Sequence, residues 1–142
     1  MATTTRTYRS AATSSTLRTR ALGVAGAIIA AVAVWAIEAS VLGLHLDIRF
    51  GTGAAQTIGV GFIVGATLFA SLLGWGVLTL LERRTLHARA IWTAMAVVVV
   101  LASLTLPLTA GTTTSTKIAL VAMHLAVGAV LIPALRSVSP RS

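Results

Sequence analysis

The sequence predicts an all-α polytopic membrane protein, a bundle of four transmembrane helices with both termini in the cytoplasm. Three observations carry that reading. Residues 90–108 (AIWTAMAVVVVLASLTLPL) and 118–135 (IALVAMHLAVGAVLIPAL) are each long enough to cross a bilayer, and between them they hold one ionisable side chain, His124. Hydrophobic residues make up 56% of the chain, charged residues 10%, and the mean hydropathy is +0.94, so there are too few charges to clothe a small domain in water. The apolar runs are continuous rather than alternating. Backbone groups in lipid must be satisfied within the protein, and such runs satisfy them as helices rather than as barrel strands.

With 142 residues the chain is one domain by size. Residues 1–20 (MATTTRTYRSAATSSTLRTR) read as a disordered basic cytoplasmic tail, in which Arg6, Arg9, Arg18 and Arg20 have no acidic neighbour. The transmembrane domain covers 21–136, and 137–142 form a short cytoplasmic tail. The first span is 21–42. A basic segment before it and the small-x-small string Ala31-Val32-Ala33 resemble a signal peptide, but the apolar run continues well past that point, which favours a membrane anchor. Gly23, Ala27 and Ala31, spaced by four, allow close approach of another helix. Glu38 sits one turn from the end of the span.

The loop 43–56 alternates His45, Asp47 and Arg49 with Leu44, Leu46, Ile48 and Phe50, a period of two that predicts an extended interfacial segment. Gly51 and Gly53 permit the turn into the second span, 57–81. There Gly61 and Gly65, continued by Ala66 and Ala70, predict a helix-packing face. The string from Gly59 to Gly65 is not a nucleotide loop, because it lacks the lysine and the preceding strand of one. The link 82–89 (ERRTLHAR) is short enough to make the second and third spans antiparallel neighbours. Trp92 anchors one interface of the third span, and Pro107 closes or kinks its last turn. A Thr-rich turn then leads into the fourth span.

Orientation follows from the basic residues. The amino terminus, the 82–89 link and the carboxyl terminus hold four, three and two Arg residues, nine in all, against Arg49 and Lys117 on the other side. The net charge of +8 is therefore a topology signal and a contact with lipid head groups, and no nucleic-acid partner is expected. The absence of cysteine excludes disulfides, thiolate metal sites and Cys nucleophiles.

Polar side chains at membrane depth are few. Glu38, Ser103, Thr105 and His124 all fall toward the outer side, with His124 about 10 Å deep at 1.5 Å per residue from Lys117. The reading is a ligand-binding or structural polar site of these four capped by His45, Asp47 and Arg49, in which Glu38 pairs with His124 or Arg49. For His124 the plainer alternative is a satisfied core histidine bonded to a helix-three hydroxyl or carbonyl. Two or three of Glu38, His45, Asp47 and His124 would suit zinc only if the fold gathered them. No short ligand spacing supports that, so no metal, cofactor or catalytic residue is assigned.

The carboxyl half carries a resemblance. Ser103, Leu104, Pro107 and Leu108, then Met123, His124 and Leu125, then Ile132 and Pro133, with Leu81, Glu82 and Arg83 before them, resemble an uncharacterised family of small four-helix membrane proteins of actinobacteria. The resemblance implies four spans in a plasma membrane and brings no activity, ligand or catalytic residue. Three functions compete. The leading one is a non-enzymatic binding or accessory protein that contacts membrane lipids and associates with itself or a larger partner through small-residue faces. The second is a small transporter or channel; helices two and three offer almost no polar lining, an objection that only a hydrophobic or lipid-like substrate escapes. The third is a lipid-modifying enzyme using Glu38 or Asp47 with His124 as acid–base groups. Whether Glu38 and His124 line a common cavity discriminates among them.

Overall fold

The computed structural model describes residues 4–40, 43, 47–49 and 51–137, with side chains from residue 15 onward. Two hairpin-like pairs of helices and a small extended clip make up the fold. Helix α1 spans Thr4–Ser40, α2 Val60–Arg84, α3 Ala88–Ser103, α4 Thr105–Ala110 and α5 Thr114–Arg136. Strands β1 (Asp47–Ile48) and β2 (Gln56–Thr57) lie between α1 and α2. Four segments are long and apolar enough to cross a membrane: Ser15–Ser40, Val60–Arg84, Ala88–Ala110 and Thr114–Arg136. The four-helix membrane fold expected from the sequence is thus the observed one. Helix α1 also takes in residues 4–20, which the sequence suggested as a tail.

The third span is two helices. Pro107 has no N–H to offer the Ser103 carbonyl, and its ring crowds that turn, so α3 ends at Ser103 and the chain restarts as α4. Around the break the Leu104 N–H bonds the Leu101 carbonyl at 3.2 Å and the Leu108 N–H bonds the Leu104 carbonyl at 3.3 Å. Pro107 itself is buried. Helix α5 is started by Thr113, whose hydroxyl accepts the Thr116 N–H at 3.1 Å and so satisfies one of the free donors of the first turn.

The extended reading of the first loop holds where the loop is described. β1 pairs antiparallel with β2, Asp47 opposite Thr57 and Ile48 opposite Gln56. The clip is tied to the α4–α5 turn by Arg49 N–H to Ala110 carbonyl at 2.8 Å, Thr112 N–H to Asp47 carbonyl at 3.2 Å, and a bridge from Ile48 to Gly111. Gly51, at φ +57°, makes the turn between the strands in a conformation that side chains disfavour. Ile48 is buried beneath the clip while Arg49 is exposed, which is what period two requires.

Helix α1 organises the bundle, packing along both α5 and α2. Its buried line is Arg20, Val24, Ala27, Ala31 and Glu38, with Gly23 beside it. A Cβ placed on Gly23 would lie 2.7 Å from the Ala134 Cβ, so α1 and α5 meet almost backbone to backbone. At the far side of α5, a Cβ on Gly128 would come within 3.0 Å of Val100, and this brings in α3. In lipid there is no hydrophobic drive between helices, so close contact of this kind supplies the attraction.

The small residues of α2 behave differently. Nothing lies within 4 Å of where a Cβ would be on Gly61 or Gly65, and both glycines are exposed. Gly23 and Ala27 thus serve packing within the chain, whereas Gly61 and Gly65 make no helix contact within it. Gly23→Leu is expected to destabilise the bundle by about 2 kcal/mol through overpacking against Ala134, seen as a lower melting temperature in detergent. Gly61→Leu is expected to leave the melting temperature of the monomer unchanged.

Candidate cavity in the membrane-spanning region

Helices α2 and α3 leave their connecting turn side by side and are pinned together where Trp92 Nε1 donates to the Gly74 carbonyl at 2.8 Å. On the far side of that contact they enclose a cavity of about 640 Å³. Small side chains make the room: Ala66 and Ala70 on α2, Ala96 on α3 and Gly128 on α5 all face it. Buried Leu120, Met123 and Leu131 of α5 form the floor, and Pro107 of the α3–α4 break forms one end. Phe62, Leu73 and Val99 line the cavity and are also 62%, 53% and 63% exposed, so its mouth opens between α2 and α3 onto the lipid-facing surface.

Among the described residues the lining carries no charge, and its side-chain polar groups are the hydroxyls of Thr67 and Ser103, the His124 imidazole and the Trp92 indole N–H, the last already given to the Gly74 carbonyl. The antiparallel register set by Val100 against Gly128 puts Ser103 level with His124. The His124 Nδ1 lies 2.7 Å from the Leu120 carbonyl. A carbonyl oxygen only accepts, so Nδ1 carries the proton and donates it. Ser103 Oγ likewise donates to the Val100 carbonyl at 2.7 Å. The histidine is therefore bonded one turn back along its own helix, not to a hydroxyl of helix three.

The other residues expected at the site are distributed. Glu38 is 5% exposed in the last turn of α1, does not line the cavity, and its Oε2 has no hydrogen-bond partner among the described residues. Asp47 accepts a 2.5 Å hydrogen bond from the Thr57 hydroxyl within the clip, and Thr105 donates to the Ala102 carbonyl at 2.7 Å on an exposed surface. His45 lies outside the described residues. Among the described residues of the expected set, Ser103 and His124 alone line the cavity, joined by Thr67, which sequence reasoning passed over because one Thr in an apolar span gives no signal of its rotational position. Among the described residues no three of His, Asp or Glu gather as a metal site.

A second polar feature lies at the opposite end of the bundle. Arg20, read from sequence as an unpaired tail charge, is 3% exposed, and its Nη2 lies 2.5 Å from Glu82 Oε1. Its Nη1 reaches the Thr79 hydroxyl at 3.3 Å, and Thr79 in turn donates to the Trp75 carbonyl. The pair is visible in sequence only as a basic residue at the start of one span and an acidic one at the end of the next, which an antiparallel pairing brings level.

These features define a small four-helix membrane protein with an apolar cavity open sideways and an ion pair closing one end. The chain belongs to the Family of unknown function (DUF6069), which it matches over residues 11–141. Neither curated proteins nor solved structures give a match.

Arg20→Met is expected to lower stability by about 3 kcal/mol, because Glu82 is left partly buried without its counter-ion. In the Arg20→Met/Glu82→Leu double variant most of that loss is recovered, and melting temperatures of the four proteins of the cycle check it.

Proposed function

We propose that this protein is a non-enzymatic membrane binding protein that takes up an apolar, lipid-like molecule from the bilayer into the cavity between α2 and α3. The observation that carries the reading is that cavity: about 640 Å³, within the usual range of ligand sites, almost wholly apolar, with its mouth on the lipid side. Two further observations bear on the competitors. Catalysis on a lipid asks for an acid–base pair, and neither Glu38 nor any other carboxylate among the described residues shares the cavity with His124. Transport of a polar solute asks for polar lining through the full depth, and the lining polar groups among the described residues are two hydroxyls, one imidazole and the Trp92 indole N–H, so a transporter here would have to carry a hydrophobic or lipid-like substrate.

The accessory role belongs to the same proposal. Gly61 and Gly65 leave part of the α2 surface open to a neighbouring helix, from a second copy or from a larger membrane partner. The distribution of Arg and Lys supports a plasma-membrane protein with both termini cytoplasmic. Accessibility labelling of single cysteines, introduced into this cysteine-free chain at Ser137 and Thr52, is expected to find Ser137 inside and Thr52 outside.

The test of binding is native mass spectrometry of the protein released from mild detergent. The unaltered chain is expected to retain a lipid-sized adduct. In Ala70→Leu/Ala96→Leu, which fills the cavity, retention is expected to fall at least about tenfold with the melting temperature preserved. Equal retention by both proteins would remove the proposal.

A further inference from the structure

We propose that the cavity selects a neutral lipid bearing a free hydroxyl, such as a long-chain alcohol or a diacylglycerol, whose O–H donates to Nε2 of His124. The inference rests on the reading of the cavity as a lipid site and adds the chemical class of the ligand.

The argument is an inventory of protons. His124 Nδ1 has committed its N–H to the Leu120 carbonyl at 2.7 Å. With one proton on the ring, held at Nδ1, Nε2 is a lone-pair acceptor, and no protein group among the described residues bonds to it. Ser103 Oγ has committed its own proton to the Val100 carbonyl at 2.7 Å, so its oxygen too is left only to accept. Both residues line the same cavity at the same level of the bundle. Thr67, from the opposite wall, is the one side chain there whose hydroxyl can turn to donate or accept.

Such a site has a definite preference. A carboxylate or phosphate head group brings only acceptors and negative charge, and would face two lone pairs and no cation among the described lining residues. An ester or ether oxygen can take the Thr67 proton but leaves Nε2 without a donor. A hydroxyl supplies the donor that Nε2 lacks, and its oxygen can take the Thr67 proton. The apolar remainder of the molecule fills the space beside Ala66, Ala70 and Ala96. Selectivity comes chiefly from analogues that cannot donate, because they leave buried acceptors unpaired.

Trp92 lines the cavity and offers a reporter, since brominated alkyl chains quench indole fluorescence on contact. The Trp35→Phe/Trp75→Phe chain, which keeps Trp92 as its one tryptophan, is placed in phosphatidylcholine nanodiscs and titrated with dibrominated octadecanol, its methyl ether and the corresponding acid. Saturable quenching is expected at about five- to tenfold lower concentration of the alcohol than of the ether or the ionised acid. In a His124→Phe variant the alcohol is expected to weaken to the level of the ether, with the ether unchanged. Competition among the same three probes, followed by native mass spectrometry on the unaltered chain, repeats the comparison without the tryptophan substitutions. Saturable binding of alcohol and ether at equal concentration would overturn the hydroxyl preference while leaving the cavity a lipid site. Quenching by all three that never saturates, and matches their dilution in the bilayer, would overturn both.

Discussion

Lipid tails are as apolar as the side chains of this protein, so its helices gain little by touching one another unless they touch closely. The contact of Gly23 with Ala134 is where that condition is met most fully. With a Cβ-to-Cβ space of 2.7 Å for any larger residue, only glycine lets α1 and α5 lie this near. Helix α1 then sits between α5 and α2, and its alanines at 27 and 31 are wholly buried. The ion pair of Arg20 with Glu82 fixes the height of α2 against α1 at one end. At the other, the β clip ties the α1–α2 connection to the α4–α5 turn.

Against that well-packed side, the α2–α3 side is loose. The same residue types that draw helices together elsewhere here stand opposite one another with space between them. Ala66 and Ala70 face Ala96 across a gap instead of meeting a backbone, because α2 is held by α1 and α3 is held by Gly128 of α5. Trp92 pins the two helices to each other at one end, and the Pro107 break turns the chain across the other. A cavity results from three anchored helices whose shortest side chains happen to face one another.

Polar groups inside the span have three different fates, and each follows from its neighbours. Arg20 and Glu82 neutralise each other in a nearly closed site. The protons of Ser103 and His124 go to backbone carbonyls of their own helices, leaving acceptors in the cavity. Glu38 is buried in the last turn of α1, outside the cavity lining, with one oxygen lacking a described partner. A single outward-facing polar layer would have needed α1 to reach the cavity, and α5 stands between them.

The class of protein, the four spans, the turn glycine at 51 and the break at Pro107 were all legible in the chain, because length, hydropathy and backbone restriction are local properties. The capping of α5 by Thr113 was equally local. What the sequence could not supply was the rotation of each helix about its own axis. Helices that are apolar all round, such as α2 and α5, carry no hydrophobic stripe to indicate it. Tertiary packing alone decided that Gly23 is in contact and Gly61 is not, that Arg20 has a partner, and that His124 faces a cavity with Ser103 and Thr67 but without Glu38. Each of these depends on which side of a uniformly apolar cylinder meets its neighbour, and in lipid only the fit of side chains settles that.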